Sequence, residues 1–481
     1  MSGPAIWKFG GTSVGDADRI ARVAGIIAEA DSPPVVVLSA PGGVTEKLWR
    51  VAEAGVVEAA VAKRGDSGGD VGRTDVGAAT PAAASLHREL VELASEVGGT
   101  SLADEMDTLV SERLRSLPDA HSALEADARD ALLSLGEDVA VRLVAAALEA
   151  HGLDVERVDA REVIRTDGHF GAAEPDPDAI RAAVRTRLPE VIDAGRVPLV
   201  QGFVGADSEG RTTTLGRGGS DLTATLLGSA LESSAVHIWT DVDGILSGDP
   251  RWVDRPHTLD VVGFEEAVEL AWFGARVLHA GAAKHAVAHR LPVRIRSTFA
   301  PERPGTLVLA DRWGGPDIAA VACKRSVALI QVRSRPSAME YGFLASVFGR
   351  LAEHRTPVDL VATSHTSTSF TVHTDTELAP VAEALGEVAE VEIRRGLSTV
   401  TVVGRGLLQE PGFAARVFQT VAFTPVHLIS QATDSSLSFL VDDAEAEELV
   451  RRLHLVLIEG RTARAPAATG DRPSIGIGES E

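Results

Sequence analysis

Short apolar runs and segments of helical periodicity alternate along the first two thirds of the chain. Residues 5–9 and 34–40 are apolar or β-branched runs bounded by turn residues, which is typical of buried strands, and residues 16–30 between them carry apolar side chains at helical spacing. The alternation recurs at 150–160, 179–204 and 221–240, and residues 82–150 are rich in Ala and Leu with helical periodicity. This pattern predicts an α/β fold with an open, mainly parallel sheet between helices.

The pattern changes past about residue 315, where one segment occurs twice. The stretch 342–348 (Gly-Phe-Leu-Ala-Ser-Val-Phe) is echoed by 412–418 (Gly-Phe-Ala-Ala-Arg-Val-Phe), and 356–360 is echoed by 424–428. Each copy reads helix, turn, strand, turn, strand, and one copy alone would bury little core. The sequence therefore predicts two small α+β domains after the α/β domain. By contrast, the low-complexity stretch 64–80 predicts a surface insertion.

Composition excludes several classes of protein. A chain of 481 residues is too long for one core, and no run of 18 uncharged apolar residues exists to span a membrane. A net charge of −23 argues against nucleic acid or an anionic membrane as a partner. The single cysteine, Cys323, excludes an intramolecular disulfide framework, and no secretory signal is visible at the N-terminus, so we expect a cytoplasmic protein. Five lysines against 41 arginines fit either GC-rich coding or a salt-adapted surface.

Two glycine loops carry the candidate chemistry. The first strand runs into Lys8 and the pair Gly10-Gly11, an arrangement that lets backbone N–H groups and one ammonium converge on an anion. A second loop, 216–221 (Gly-Arg-Gly-Gly-Ser-Asp), precedes an apolar helix whose free N–H groups would also suit an anion, and Arg217 can clamp a carboxylate. A plain turn in the first loop and a capped helix with a salt-bridging arginine in the second remain open alternatives.

Other nucleotide and metal motifs do not fit. No lysine is followed by Ser or Thr, which excludes a P-loop, and Asp221 stands where a dinucleotide fingerprint needs its third glycine. The segment 240–245 (Thr-Asp-Val-Asp-Gly-Ile) lacks the chelators of a calcium loop. It follows a predicted parallel strand, so its carboxylates belong at the ligand crevice of the sheet.

Together these segments resemble the aspartokinase family. The stretches 8–13, 213–221 and 240–245 look like its three signatures in order, 273–279 (Phe-Gly-Ala-Arg-Val-Leu-His) resembles a fourth, and the duplicated units resemble tandem ACT domains. The match covers roughly residues 5–460 and is to the monofunctional members. It implies an amino-acid-kinase domain at 1–312 and ACT domains at 325–398 and 399–462, with the second unit inserted within the first. The polar, glycine-rich composition of the last residues predicts a disordered tail at 463–481.

The resemblance implies transfer of the ATP γ-phosphoryl group to the β-carboxylate of L-aspartate, with Mg²⁺ accompanying ATP, as the first step toward lysine, threonine and methionine. Lys8 and Asp221 would be catalytic, and no protein metal ligand is implied. Arg276 replaces a lysine, and Leu246 a tyrosine, that the family usually has. The aspartate site would comprise Ser39, Thr45, Glu137, Phe203, Arg217 and Ser220; the nucleotide site would comprise Lys8, Gly10, Gly11, Thr240, Asp241, Leu246, Arg251, Arg276 and Val277.

The resemblance also implies regulation by an amino acid, either lysine or threonine, and a homo-oligomer formed through the ACT domains. His365 stands where lysine-sensitive relatives usually carry Glu, which removes an acidic partner for a second ammonium. Two alternatives are a non-catalytic ACT-domain sensor and a kinase of another small amino acid; Glu137 with Arg217 favours a zwitterionic substrate. The implied effector site comprises Met339, Gly342, Phe343, Leu344, Asp359 and Ser364.

Overall fold

The computed structural model describes residues 3–53, 81–115, 124–274, 278–310, 317–334, 342–364, 366–431 and 433–460. The chain divides into two compact units. The first comprises Met1–Ile245 and Thr258–Trp313, and the second comprises Leu246–His257 and Gly314–Glu481. The predicted insertion at 64–80 and the predicted tail at 463–481 lie outside the described residues.

The first unit alternates strands and helices as its apolar pattern predicts. One of its helices, α3 (Pro81–Arg115), is interrupted at Gly99, whose φ of 70° and ψ of −160° are not helical. The helices are α1 (Ala17–Ala28), α2 (44–53), α3 (Pro81–Arg115), α4 (Ala126–Leu133), α5 (Leu135–Ala150), α6 (Ala160–Val163), α7 (Pro177–Asp193), α8 (Gly219–Ala230), α9 (Phe264–Phe273) and α10 (Ala280–Ala288). The strands are β1 (Ile6–Phe9), β2 (Val35–Leu38), β3 (Val155–Val158), β4 (Val197–Gln201), β5 (Val204–Ala206), β6 (Thr212–Thr214), β7 (Val236–Thr240), β8 (Val261–Gly263), β9 (Val293–Ser297) and β10 (Thr306–Leu309).

An eight-stranded sheet organises this unit, in the order β3-β4-β2-β1-β7-β9-β10-β8. The strands from β3 to β9 in that order are parallel, and β10 runs antiparallel to β9. Strand β2 is buried at all four positions, because helices cover both faces of a parallel sheet. Parallel strands end at the same edge, so the loops after β1, β2, β4 and β7 meet there.

The second unit is a six-stranded antiparallel sheet in the order β12-β13-β11-β14-β16-β15, with helices packed on it. Its strands are β11 (Asp317–Ser334), β12 (Val361–Thr363), β13 (Ser367–His373), β14 (Ala389–Arg405), β15 (Leu428–Ser430) and β16 (Ser436–Asp442). Its helices are α11 (Phe343–Glu353), α12 (Leu378–Gly386), α13 (Phe413–Val421) and α14 (Asp443–His454).

The two α+β repeats share the long strands β11 and β14, and each has its own core. In the first repeat, residues 327–394, the β11 portion after residue 326 pairs with β13 over a core that includes Ile330 and Phe370. In the second, residues 317–324 and 397–460, the earlier part of β11 pairs with β14 over a core that includes Val321 and Phe439. The prediction that the second repeat is inserted within the first is therefore wrong. The first repeat lies within the second, between residues 324 and 397. The boundaries expected at 312, 325, 398 and 462 stay predictions.

The stretch 246–257 leaves the first unit and belongs to the second, which no local sequence pattern indicates. Ser247 joins the sheet edge through its carbonyl, which accepts a hydrogen bond from the Val321 amide at 2.9 Å. Val253 is 3 % exposed in the core of the second repeat. Buried His454 also contacts the Ser247 hydroxyl, Nε2 to Oγ, at 2.9 Å.

Within the described residues, no helix combines the length and apolar character that crossing a membrane requires.

Candidate active site

The parallel strands deliver their loops to one edge of the first unit, and backbone hydrogen bonds join these loops. The Gly10 amide donates to the Trp239 carbonyl at 3.1 Å, which ties the end of β1 to β7. Ser39 donates from its amide to the Phe9 carbonyl at 3.1 Å, and the Gly202 amide donates to the Leu38 carbonyl at 2.8 Å. The loops after β1, β2 and β4 therefore form one connected surface.

Of the two predicted glycines in the first loop, Gly11 has no room for a side chain and Gly10 lies next to Lys8. A Cβ on Gly11 would lie 2.6 Å from the Ala40 carbonyl oxygen, so only glycine fits without a backbone shift. A Cβ on Gly10 would lie 3.6 Å from the Lys8 Nζ, which brings the glycine loop next to that ammonium. The first glycine loop and the lysine thus face the same space, as a phosphate-binding loop requires.

Lys8 and Asp221, the two predicted catalytic residues, form an ion pair. Lys8 Nζ lies 2.6 Å from Asp221 Oδ1, and both side chains are 12 % exposed. Asp221 lies in the first turn of α8, which begins after Gly218, a residue with a φ of 75°. The pair joins the first strand of the unit to the second glycine loop, although 213 positions of sequence separate the two residues.

The loop after β4 packs against the same helix start. Phe203 has a φ of 66°, and its amide donates to the Thr223 hydroxyl at 3.1 Å. A Cβ on Gly219 would lie 2.9 Å from the Phe203 ring, and one on Gly202 would lie 2.5 Å from Ser220 Cβ. Close packing at Gly202 and Gly219 therefore brings together the segments that carry Phe203 and Ser220, both of which are predicted for the aspartate site.

Glu137 is a buried carboxylate of which one oxygen accepts a hydrogen bond from another residue. It lies in the first turn of α5 and is 3 % exposed. Its Oε1 accepts a hydrogen bond from the Ala40 amide at 3.1 Å, and its Oε2 has no hydrogen-bond partner among the described residues. Burial is the largest influence and raises the pKa of Glu137 to about 8, against the opposing effect of the Ala40 amide. A buried carboxylate of this kind suits a cationic partner.

Helix α5 can approach the loop after β2 closely because both carry small residues, Gly136 and Ala40, where they touch. A Cβ on Gly136 would lie 2.5 Å from Ala40 Cβ and 3.5 Å from Val44 Cγ1. Ser39 precedes Ala40 and Thr45 follows Val44, and both are partly exposed. The structure therefore places the segment that holds these two predicted residues against the start of the helix that carries Glu137.

Arg217, at the tip of the second glycine loop, is exposed and makes no ion pair with any described residue. His279 supports the loop from below: a Cβ on Gly218 would lie 2.0 Å from His279 Cγ. Burial lowers the pKa of His279, Asp221 opposes this change, and the charge of Arg217 adds to it. The guanidinium is thus presented on a supported loop with its donors available to an anion.

The residues predicted for the nucleotide divide between several places. Thr240 ends β7, and its hydroxyl donates to Asp241 Oδ1 at 3.1 Å in an exposed position. Leu246 and Arg251 belong to the second unit, where Arg251 pairs with Asp249 and its side chain is 77 % exposed. Arg276 and Val277 lie outside the described residues. The first unit thus gathers Lys8, Gly10, Gly11, Thr240 and Asp241 at one sheet edge.

The predicted effector residues lie in the first repeat of the second unit. Gly342, with a φ of 99°, directly precedes α11, and Leu344 is 43 % exposed. The Ser364 hydroxyl lies 2.8 Å from that of Ser367. Phe343 begins α11, whereas Met339 and His365 lie outside the described residues.

Asp359 already has a cationic partner within the chain. Its two oxygens lie 2.7 and 2.8 Å from Lys324 Nζ, and the aspartate side chain is only 5 % exposed. Sequence reasoning missed Lys324, because it lies 35 positions away on β11 and matches no motif. Its one available signal was its rarity, as one of five lysines.

Comparisons with known proteins agree with this architecture. The amino acid kinase family matches residues 4–297 and the ACT domain matches residues 400–457. The chain is 35 % identical to lysine-sensitive aspartokinase 3 of Escherichia coli, over 95 % of this chain and all of that protein. It is 34 % identical to chloroplastic aspartokinase 3 of Arabidopsis thaliana, over 96 % of this chain and 82 % of that protein.

Among solved structures, the chain is similar to E. coli aspartokinase III in complex with aspartate and ADP in the R-state. The TM-score is 0.81 at 33 % sequence identity, covering 94 % of this chain and 99 % of that one. The T-state structure of the same protein with lysine and aspartate gives a TM-score of 0.76 at 32 % identity, covering 95 % of this chain and 99 % of that one.

Proposed function

Because the chain belongs to the aspartokinase family and is an aspartate kinase, we propose that the loops at the sheet edge of the first unit form its active site. Glu137 and Arg217 bind the α-ammonium and α-carboxylate of L-aspartate, and Lys8 neutralises the transferring phosphate. Ser39, Thr45, Phe203 and Ser220 line the same site. The observation that carries this proposal is the buried Glu137, whose Oε2 has no hydrogen-bond partner among the described residues.

The chemical demand on this site is electrostatic. The β-carboxylate of aspartate is ionised at neutral pH, so it needs no general base, but an anion must approach a polyanion. Lys8, held by Asp221 at 2.6 Å, supplies a positioned positive charge beside the Gly10 and Gly11 amides. A charge that is already in place needs no reorganisation as the transition state forms, and this is the largest contribution a protein makes to phosphoryl transfer.

The burial of Glu137 favours an ammonium as its ligand. Burial raises the pKa of Glu137 to about 8, so at neutral pH the free enzyme holds this group mostly protonated. An α-ammonium arriving at Oε2 stabilises the carboxylate form, and the proton then leaves. Arg217 provides the second, opposite charge, and the two groups together select a zwitterion over a simple carboxylate.

The site would bind ATP together with Mg²⁺, which would neutralise part of the charge on the phosphates. Asp221 and Asp241 offer carboxylate oxygens in the first unit, at the start of α8 and at the end of β7. Mg²⁺ accepts one or two such carboxylates alongside phosphate oxygens, so the donor set fits the ion. Thr240, Asp241, Leu246, Arg251, Arg276 and Val277 are proposed to border the nucleotide.

We further propose that the first repeat of the second unit binds an inhibitory amino acid, with lysine the first candidate and threonine the second. Asp359 would bind the effector ammonium, with Met339, Gly342, Phe343, Leu344 and Ser364 around it.

We also propose a homo-oligomer formed through the ACT domains. Exposed apolar residues on β12 and β15, Val361 and Ile429, support it, and analytical ultracentrifugation would measure it. We place the enzyme in the cytoplasm.

An ATP-dependent hydroxamate assay tests the proposed substrate site. Wild-type enzyme should form hydroxamate with aspartate and far less with glutamate or acetate. Glu137→Gln should raise the aspartate KM about tenfold or more, since a charged hydrogen bond is lost, while the ATP KM stays within twofold. Glu149→Gln, in the last turn of the same helix, is the matched control. An unchanged aspartate KM in Glu137→Gln would place the ammonium site elsewhere.

A further inference from the structure

Asp130 is a buried carboxylate that none of the site predictions includes. It lies in α4 and is fully buried. Its Oδ2 accepts two backbone hydrogen bonds, from the Gly171 amide at 2.8 Å and from the Thr214 amide at 2.7 Å. Its Oδ1 has no hydrogen-bond partner among the described residues. Burial is the main influence on the pKa of Asp130 and raises it, and the two amides oppose that change.

Both amide donors lie at the base of the second glycine loop. Thr214 is the last residue of β6, two positions before Gly216, and its carbonyl accepts a hydrogen bond from the Ala173 amide at 2.9 Å. Gly216 has a φ of 72°, and a Cβ there would lie 3.3 Å from the Gly171 carbonyl oxygen. Asp130 therefore fastens the end of β6 and the turn at Gly171 to α4, directly below the residue that precedes Arg217.

The same carboxylate connects that loop to Glu137. Helices α4 and α5 are separated only by Ser134, and backbone hydrogen bonds run through the junction: the Ser134 amide donates to the Asp130 carbonyl and the Asp138 amide to the Ser134 carbonyl, both at 3.0 Å. Asp130 and Glu137 thus belong to one continuous helical segment. The side chain of Asp130 holds the end of β6, two residues before the loop of Arg217, and Glu137 is the proposed ammonium ligand.

We propose that Asp130 is a positioning residue that fixes the distance between Arg217 and Glu137, so that the pocket matches the separation of the α-carboxylate and α-ammonium of one amino acid. The inference rests on the proposed aspartate site. Asp130 touches no substrate; it acts through the backbone of β6 and the loop that presents Arg217. Its loss releases the α-carboxylate end of the site and leaves the ammonium end and the phosphate loop in place.

The test uses three variants of the full chain. Asp130→Ala leaves two buried amides without an acceptor, and Asp130→Asn keeps an oxygen that can accept both hydrogen bonds but removes the charge. Asp127→Ala is the control, because this residue lies one turn earlier on α4 and its Oδ1 accepts from the next amide, that of Ala128, at 2.7 Å, rather than from a distant strand. Circular dichroism and thermal melting establish that each variant is folded.

We expect the aspartate KM to rise about tenfold or more in Asp130→Ala and less in Asp130→Asn, with the ATP KM and kcat within about threefold of wild type. Asp127→Ala should match wild type.

Competitive inhibition by two analogues of aspartate gives a second readout. Succinate keeps both carboxylates of aspartate and lacks the ammonium, whereas β-alanine keeps the ammonium and lacks the α-carboxylate. The Ki of succinate should rise in both Asp130 variants, and the Ki of β-alanine should not.

The outcomes separate this inference from the proposed function. Arg217→Ala should show the same pattern, with succinate weakened and β-alanine unchanged. If it does and a folded Asp130→Ala protein behaves like wild type, the positioning role is wrong while the site assignment stands. If Arg217→Ala affects both inhibitors equally, the assignment of the α-carboxylate site itself is wrong. Equal weakening of both inhibitors in a folded Asp130→Asn protein would mean a general structural role and would also overturn the inference.

Discussion

The aspartate side and the nucleotide side of the proposed active site differ in how much of their geometry the fold fixes. On the aspartate side, Glu137 is 3 % exposed, and the loop that carries Arg217 packs against His279, whose Cγ would lie 2.0 Å from a Cβ on Gly218. On the nucleotide side, Asp241 is exposed and Arg251 lies on a different unit with its side chain 77 % exposed. Discrimination of a small zwitterion needs fixed charges at both ends, whereas a large nucleotide can be bound by many weaker contacts.

The largest effect should come from Lys8→Ala. Removing one preorganised charge should lower kcat by about 100-fold to 1000-fold, with the fold intact. Lys47→Ala is the matched control, because Lys47 also pairs with a carboxylate, that of Glu89, but at an exposed position. Turnover assays on both variants check this, and a Lys8→Ala enzyme with near-normal turnover would remove the phosphate role.

Arginines on the two sides sharpen the comparison. Arg217→Ala should raise the aspartate KM by about 10-fold to 100-fold, because a charged hydrogen-bonding partner is lost. Arg251→Ala should raise only the ATP KM, and by about threefold or less, because its exposed ion pair with Asp249 is screened by solvent. Steady-state kinetics with each substrate varied in turn measures both. Similar changes in the two variants would abolish the distinction between the two sides.

The two repeats of the second unit carry equivalent residues, so each repeat can be tested separately for a role in lysine inhibition. Asp359 and His427 occupy equivalent positions, since the Asp359 amide donates to the Thr371 carbonyl on β13 and the His427 amide to the Leu440 carbonyl on β16. Asp359→Asn should raise the concentration of lysine that gives half inhibition by about tenfold, while His427→Asn should leave it unchanged. Inhibition curves test this. An effect of His427→Asn as large as that of Asp359→Asn would move the effector site to the second repeat.

The last expected effect is on stability. The folded-state pKa of Glu137, about 8, lies above the ordinary value of 4.5 for a glutamate, so the folded protein holds this proton more tightly than the unfolded chain. Stability relative to Glu137→Gln is therefore lost as pH rises from about 4.5 to about 8. Melting experiments without aspartate should show the melting temperature of the variant rising relative to that of wild type over this window. A difference in melting temperature that is constant with pH would contradict the buried titration.

Apolar periodicity and strand-end motifs were enough to predict the parts of the molecule that depend on local sequence. Strands β1 and β2 and helix α1 lie within the predicted ranges 5–9, 34–40 and 16–30. Residues 82–150 are helical wherever they are described, apart from interruptions at Gly99 and between α4 and α5 and a non-helical stretch before α4. The resemblance, rather than the pattern, pointed to Glu137, because one glutamate in a helix carries no local signal of burial.

The rest depends on pairings that local sequence does not encode. Lys324 meets Asp359 only because β11 lies beside β13 in the sheet. The expected insertion of the repeats was wrong because the strand that completes the second repeat, residues 317–324, comes before the first repeat in the chain. Likewise, Asp130 acquires its partners from β6 and a distant turn, and nothing in the helix that carries it indicates those contacts.

The central claim is that buried Glu137 binds the ammonium of aspartate, and proton release on binding tests it most directly. Calorimetric titration of aspartate at pH 7, with ADP and Mg²⁺ saturating and in buffers of different ionisation enthalpy, counts the protons exchanged. A pKa of about 8 in the free enzyme predicts release of about 0.9 proton at pH 7, little release at pH 9, and none from Glu137→Gln at either pH. The same proton release from wild type and from Glu137→Gln, or none from either, would contradict the claim.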